Sequence, residues 1–427
     1  MSPRARTLLA FLALLVAPLE IAAQAPQVPA ASGRSEPLPA ISQSPGIGVL
    51  LPLSGRYRSF GESCLRGIRV ALGAVGDRMP VVRTVILDSG GEPAQAASAY
   101  QKLAADAGIT AVLGPMLSPE VDAVAPSAQS YGLVTITFSQ RPVAGGGPLF
   151  RFALTKEDQA QTLAQYAVGE NGLRRWATLH PEDAYGREIA AQFRIAVESR
   201  GGRVVADVGY DPAKNDLQSE AKRLQSRIGF VENQPPRIDG VFLPDSAERL
   251  PMLVSYLTFI DLHGVQLLGA SGWDRPQELL AAGPSIEGGV FVDGFFVYSF
   301  RPEVRTFVDA YRDAYHADPG TLEAYGYDAA MLLRDVLARG AADRGEVFAE
   351  LHRPFSRRGA TAETVITADG RIEKGLFVLK VEGGTVRELE SEAATAAVGN
   401  APVVPVAPDT QYAPPRDPRS PEDRFAH

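Results

Sequence analysis

The chain has 427 residues, more than a single compact domain usually holds, so two or more units with separate apolar cores are expected. With 45% hydrophobic and 22% charged residues it has the composition of an ordinary globular protein, which excludes a disordered or fibrous chain. The formal net charge of -8 argues against a polyanion partner, because proteins that bind nucleic acid gather Lys and Arg on one face.

In chain order, Arg4 and Arg6 precede an apolar run over 8–16, and the small-residue pattern Ala23-Gln24-Ala25 follows. Residues 1–25 therefore read as a cleaved secretory signal peptide. The run is shorter than the roughly 20 apolar residues a membrane span needs, and no other stretch approaches that length, so no stable membrane insertion is expected. The single cysteine, Cys64, lies well inside the mature chain, which offers neither a disulfide framework nor a lipidation cysteine. Residues 26–45, rich in Ala, Pro and Ser, read as a linker, and 391–427, with Pro414-Pro415, as a disordered Pro-rich tail.

Between them runs a βαβ rhythm. An apolar strand over 47–51 is closed by Pro52 and Gly55, and Leu65, Ile68, Leu72 and Val75 mark one face of a helix behind it. A strand over 81–87, a helix over 94–105 opened by Pro93, and strands over 111–113 and 134–138 follow, with a helix opening at Ser118-Pro119-Glu120. A second series places helices over 158–169, 185–199 and 217–225 between strands over 176–179, 204–208, 241–243, 265–268 and 290–292, with Leu250, Leu253, Val254 and Leu257 on a further helix. Strands alternating with helices predict parallel sheets wound by right-handed crossovers, and two series predict two α/β lobes. Helices over 302–315 and 322–338 and strands over 363–367 and 376–381 must dock on lobes already built.

The order of several motifs carries a resemblance. Ile47-Gly48-Val49-Leu50-Leu51-Pro52-Leu53-Ser54-Gly55 is followed by Phe60-Gly61 and Gly67, then by Leu87-Asp88-Ser89 before Glu92-Pro93, and by Gly114-Pro115 before Ser118. Asp183-Ala184-Tyr185-Gly186-Arg187 and Ala324-Tyr325-Gly326-Tyr327-Asp328-Ala329 complete the set. Over most of 46–385 the chain resembles the type I periplasmic binding proteins, closest to the leucine/isoleucine/valine-binding class. The resemblance implies a two-lobed "Venus flytrap", each lobe a mainly parallel sheet flanked by helices. It implies an N-terminal lobe of 46–152 plus 297–350 and a C-terminal lobe of 153–296 plus 351–385. Its expected job is capture of a small polar, amino-acid-like or amide-like solute in the periplasm for an ABC transporter permease. The opening motif and Gly269-Ala270-Ser271-Gly272-Trp273-Asp274 are also similar to the binding-protein-like domain of penicillin-binding-protein activators. That likeness implies the alternative, a regulator partnered with a cell-wall synthase; its best-known members are lipoproteins.

By resemblance, Ser118 offers a hydroxyl and helix amides to a ligand carboxylate, while its local pattern equally fits an ordinary N-cap. Thr137, Phe138 and Ser139 end a strand, where side chains of open α/β sheets face the cleft. Tyr185 matches a residue that covers the ligand from the second lobe, or else staples the helix start, with Gly186 accommodating the backbone. Where amino-acid binders often place an acid, Ser271 stands; Asp274 and Trp273 are nearby, as charge and stacking surface or as a structural corner. No catalytic signature appears: there is no Gly-x-Ser-x-Gly elbow, phosphate loop or His-Glu-x-x-His, and His180, His263, His316, His352 and His427 lack ligand spacing. No enzyme, metal or cofactor is expected, although whether Asp183 and Asp274 meet as a carboxylate pair stays open.

Overall fold

The computed structural model describes residues 44–390, apart from 77, 230, 232 and 233. The signal peptide read over 1–25, nearly all of the linker over 26–45 and the tail over 391–427 lie outside the described residues. Among those described, no helix is long and apolar enough to cross a membrane.

The first series is β1 (Gly46–Leu51), α1 (Arg58–Ala71), β2 (Arg83–Asp88), α2 (Pro93–Ala105), β3 (Ile109–Leu113), α3 (Ser118–Tyr131), β4 (Val134–Thr137) and β5 (Leu149–Arg151). These strands form a parallel sheet in the order β2-β1-β3-β4-β5. β1 and β3 are buried throughout because helices cover both faces. Ile47, Val49 and Leu51 enter one core and Leu50 the other, as the period of two requires. β2 starts two residues later than the apolar run suggests, since Val81 lies open to solvent.

The second series is α4 (Lys156–Ala164), extended by a π-helical turn over Gln165–Glu170, then β6 (Arg175–Pro181), α5 (Ala184–Ser199), β7 (Arg203–Tyr210), α6 (Gln218–Arg227) and β8 (Gly240–Phe242). It continues with α7 (Leu250–Phe259), β9 (Gln266–Gly269), α8 (Pro276–Leu280) and β10 (Val290–Asp293). Thereafter come α9 (Pro302–Tyr315), α10 (Thr321–Ala338), α11 (Arg344–Glu350), β11 (Phe355–Gly359), β12 (Ala362–Ile366), β13 (Ile372–Lys374), β14 (Phe377–Glu382) and β15 (Thr385–Leu389). The second sheet runs β15-β14-β10-β9-β8-β6-β7, parallel from β7 to β10 and antiparallel where β14 and β15 add to its edge.

The sequence reading gives 351–374 to the second lobe. β11, β12 and β13 form a separate antiparallel sheet. Leu351, Phe355, Ile366 and Ile372 join the core of the first sheet, while Ala360 and Ala362 touch the core of the second. Asp328 of α10 holds this unit in place by accepting from the amides of Ala360 (2.9 Å) and Thr361 (2.7 Å) between β11 and β12. Only from Phe377 does the chain rejoin the second sheet.

Candidate functional site

Both large sheets share one winding. The first strand of each series, β1 or β6, lies between the next two, which creates a switch point at the carboxyl ends of the strands, where ligands of open α/β sheets bind. In the first sheet the loop after β3 is held close to β1: Gly114 has φ +102, and a Cβ there would lie 1.9 Å from the Leu50 carbonyl oxygen. That loop delivers Ser118. Ser118 is the first residue of α3 rather than its N-cap; the cap is Leu117, whose amide donates to Glu120 Oε2 at 3.1 Å. Freed from capping, the Ser118 hydroxyl bonds to Ser139 Oγ at 2.9 Å, and Ser139 Oγ also accepts from the Arg141 amide at 3.1 Å. Thr137, at the end of β4, is fully buried, and its Oγ1 has no hydrogen-bond partner among the described residues. Phe138 is half-buried against the first core, its amide donating to the Pro115 carbonyl at 3.0 Å. The first lobe thus presents a cluster of hydroxyls beside a helix start, a neutral donor set suited to an anionic group.

In the second sheet, the loop after β6 ends at Asp183, whose carboxylate caps α5 by accepting from the Gly186 amide at 2.7 Å. A Cβ on Gly186 would lie 2.1 Å from the Pro181 carbonyl oxygen, so the turn closes only on glycine. His180 supports this loop from below, with Nδ1 2.9 Å from the Pro181 carbonyl oxygen and Nε2 3.1 Å from Asp207 Oδ1. Tyr185 follows the cap, half-buried against the aromatic core around Trp176 and Phe193. Burial first, then the carboxylates of Asp245, Asp183 and Asp293, push its hydroxyl up to about 12, so it is a neutral donor at physiological pH. Lys156 links the two sheets. Its Nζ donates to Gln140 Oε1 beyond β4 at 3.1 Å, pairs with Glu188 of α5 at 3.0 Å, and lies 5.9 Å from the centre of the Tyr185 ring.

The strand β9 ends in a short turn, Ser271–Trp273, fixed by the Ser271 amide donating to Gln159 Oε1 at 2.9 Å. Ser271 stays partly exposed, but Trp273 does not face a ligand. This corrects the stacking role: the indole is fully buried against Gly269 and Phe291, and its N–H donates to the Leu243 carbonyl at 3.0 Å. Asp274, the next residue, meets Asp293 at the end of β10 instead of Asp183, which is exposed at its helix cap. Burial pushes the Asp274 carboxyl up to about 6 despite a hydrogen bond with Asp293, and burial together with the Asp274 charge raises Asp293 further.

Asp293, Tyr325, Lys156 and Asp245 were not among the residues expected here. Asp245 lies just beyond β8, held by the Tyr210 hydroxyl, by Arg249 Nε at 3.2 Å and by the Ser246 amide at 2.7 Å. Asp293 and Asp245 close strands at their carboxyl ends, so the strand-end rule that selected Thr137 points to both. Tyr325 of α10 could be found only through its neighbours: its buried ring meets Phe152 edge-on at 5.6 Å, and Phe152 donates its amide to the Thr137 carbonyl at 2.8 Å. Tyr185 and Tyr325 both lie near Asp293, and Lys156 ties the Tyr185 side to Gln140 beyond β4.

The model of the periplasmic binding protein family matches residues 45–385. The chain belongs to the periplasmic binding protein family. This periplasmic binding protein is 26% identical over 192 residues to the Leu/Ile/Val-binding protein BraC3 of Rhizobium johnstonii, a match covering 42% of the chain and 51% of the relative. It is 27% identical over 234 residues to the penicillin-binding protein activator LpoA of Yersinia pseudotuberculosis, covering 45% of the chain and 35% of that protein. The chain spans about half the length of the first of these relatives and a smaller share of the second. Among solved structures, an ABC transporter substrate-binding protein from Desulfitobacterium hafniense in complex with Leu shares the fold, with a TM-score of 0.58 at 22% identity, covering 81% of this chain and 99% of that one. The two-lobed architecture with parallel sheets flanked by helices is therefore the family's.

Proposed function

We propose that this periplasmic binding protein captures a small polar solute, amino-acid-like or amide-like, by closing two lobes on it, and presents it to an ABC transporter permease in the periplasm without covalent chemistry. What supports this reading is that Lys156 spans the two sheets, from Gln140 next to Ser139 beyond β4 to Glu188 and the Tyr185 ring on α5, at the carboxyl-end side where ligands of open α/β sheets bind. Family membership supports it, as does the leucine held by the Desulfitobacterium protein. The lobes are taken as 46–152 plus 297–374 and 153–296 plus the strands from Phe377 onward. A ligand that touches both lobes only when they close favours the closed state by that difference in contact. A thermal-shift screen of residues 26–427 against amino acids, amides, small carboxylates and cell-wall fragments tests the reading. A ligand at 100 times its dissociation constant adds about 2.7 kcal/mol of stability, which is readily seen.

The likeness to the Yersinia activator favours one other reading, a regulator of cell-wall synthesis on the same fold. A panel without a single shift, together with saturable binding to a penicillin-binding cell-wall synthase, would replace capture with regulation.

A further inference from the structure

His180, near the end of β6, is buried and has an oxygen at each ring nitrogen: Nδ1 lies 2.9 Å from the Pro181 carbonyl oxygen and Nε2 3.1 Å from Asp207 Oδ1 on β7. A carbonyl oxygen only accepts, and so does an ionised carboxylate. Asp207 is ionised, because Arg194 of α5 donates to its Oδ2 and Thr178 Oγ1 donates to its Oδ1 at 3.0 Å. A neutral imidazole carries one N–H and can serve only one of these two oxygens, whereas an imidazolium serves both. Burial works against the imidazolium, but Asp207 first, then the Pro181 carbonyl and Glu182, outweigh it, so His180 titrates above its ordinary 6.5. The His180 partner in turn holds the Asp207 carboxyl below the usual carboxylate range.

What this imidazolium holds is the start of α5. The Pro181 carbonyl it binds is the atom on which Gly186 closes, 2.1 Å from where a Cβ would stand, and the Glu182 amide is tied to the Tyr210 carbonyl on β7 at 2.7 Å. Between Pro181 and Gly186 lie the cap of α5, Asp183, and Tyr185. The remaining charges around the loop are engaged elsewhere: Arg187 of α5 donates to the Glu182 carbonyl, and Arg223 and Arg227 of α6 donate to the carbonyls of Gly209 and Asp207. His180 is thus the one titrating group that bonds both the turn before α5 and the neighbouring strand.

We propose that His180 is a proton-operated latch on the β6–α5 loop: as imidazolium it fastens the Pro181 carbonyl to Asp207 and keeps the first turn of α5 in place, and as neutral imidazole it lets that turn loosen. The proton that leaves is the one on Nδ1, because the charge-assisted bond from Nε2 to Asp207 is the stronger of the two. The Nδ1–H bond breaks, its electron pair stays on the nitrogen, and the proton passes to solvent. A lone pair then faces the Pro181 carbonyl oxygen across a contact that had been a hydrogen bond. Since the folded chain holds this proton more tightly than the unfolded one, the latch is fully closed below about pH 6.5 and opens as pH rises through the higher folded value. That Tyr185 loosens a captured solute with it rests on the capture reading; the latch itself does not.

The test needs no solute. Nitrogen NMR of residues 26–427 with labelled histidine, titrated from pH 5 to 9, should show both His180 ring nitrogens protonated at pH 6 and Nδ1 alone losing its proton as pH rises. Amide hydrogen exchange over 181–187, corrected for the intrinsic effect of pH, should quicken by about tenfold or more across that same step while β8 and β9 keep their protection. Asp207→Asn should move both the titration and the exchange step to lower pH together, which a merely structural contact would not do. His180→Gln, checked for folding by circular dichroism, should exchange at one corrected rate at every pH. A single protonated nitrogen on His180 at pH 6, or corrected exchange over 181–187 that ignores the titration, would overturn the latch and leave capture standing. Failure of every solute to bind would remove capture and leave these readouts as they are.

Discussion

Tyr185 and Gly186 are neighbours with separable tasks. The capture reading gives Tyr185, half-buried on α5, the part of a lid with one hydroxyl, whereas Gly186 lets the α5 turn pass within reach of the Pro181 carbonyl. Tyr185→Ala should therefore weaken solute binding by about 1 to 3 kcal/mol through lost area and one hydrogen bond. Gly186→Ala should chiefly lower the melting temperature, because backbone must move to admit the methyl. Calorimetry of both variants with one ligand separates them; if Tyr185→Ala kept its affinity and lost stability, its ring would be a staple and no lid. Asp274 gives a third expectation at this scale. Its carboxyl ordinarily titrates at 3.8 and is pushed up to about 6, so the native state holds that proton more tightly than the unfolded chain. The stabilising contribution is complete below about pH 4 and is lost as pH rises through about 6. Melting curves from pH 4 to 7 should show the parent chain losing stability relative to Asp274→Asn across that window, whereas parallel curves would mean the carboxyl is not perturbed.

At the scale of elements, what the sequence made legible follows from what local pattern encodes. β1 and β8 were readable because a strand covered on both faces is a short apolar run bounded by turn residues. β5 and β13 have three residues each, and β15 is a partly exposed Thr-Val-Arg-Glu-Leu, so no run or alternation marks them. That β11-β12-β13 would form a sheet of its own was not legible, because its anchor, Asp328, is more than 30 residues upstream of Ala360 and Thr361, in α10. The same limit hid the nearness of Asp274 to Asp293. Asp293 closes the strand predicted over 290–292, yet its contact with Asp274 forms only when β9 and β10 lie side by side. Trp273 failed for the converse reason, since a Trp-Asp pair in a loop looks alike whether the ring points to a cleft or into the core. The Asp328 anchor carries its own prediction. The buried carboxylate accepts from two amides and faces Arg357 Nη1 at 3.5 Å and the buried Lys374, whose ammonium burial lowers to about 8. Asp328→Ala strands both amides and takes the nearest negative charge from the buried Lys374, while Arg357 keeps Asp335 at 2.9 Å, so it should cost about 3 kcal/mol in chemical denaturation. A loss below about 1 kcal/mol would show that the small sheet docks without it.

The two large sheets are joined by more than the chain that crosses between them. Tyr327 of α10 packs against the cores of both, Leu154 bridges the first core and the inner face of the second sheet, and Lys156 binds groups on either side. Such shared contacts couple the stability of one lobe to that of the other, because unfolding either exposes surface and unpairs charges on its partner. Differential scanning calorimetry should accordingly show one cooperative transition for residues 26–427. A solute held by Ser118 and Ser139 from one lobe and by Tyr185 and Asp274 from the other should move that whole transition upward, and should move it less when either half of the set is altered. Two resolved transitions, of which the ligand shifts only one, would mean that a single lobe holds the solute and that closure adds nothing to its capture. A single transition that Ser118→Ala and Asp274→Asn each make less responsive to ligand, with their effects failing to add, is the result that places both halves on one bound molecule.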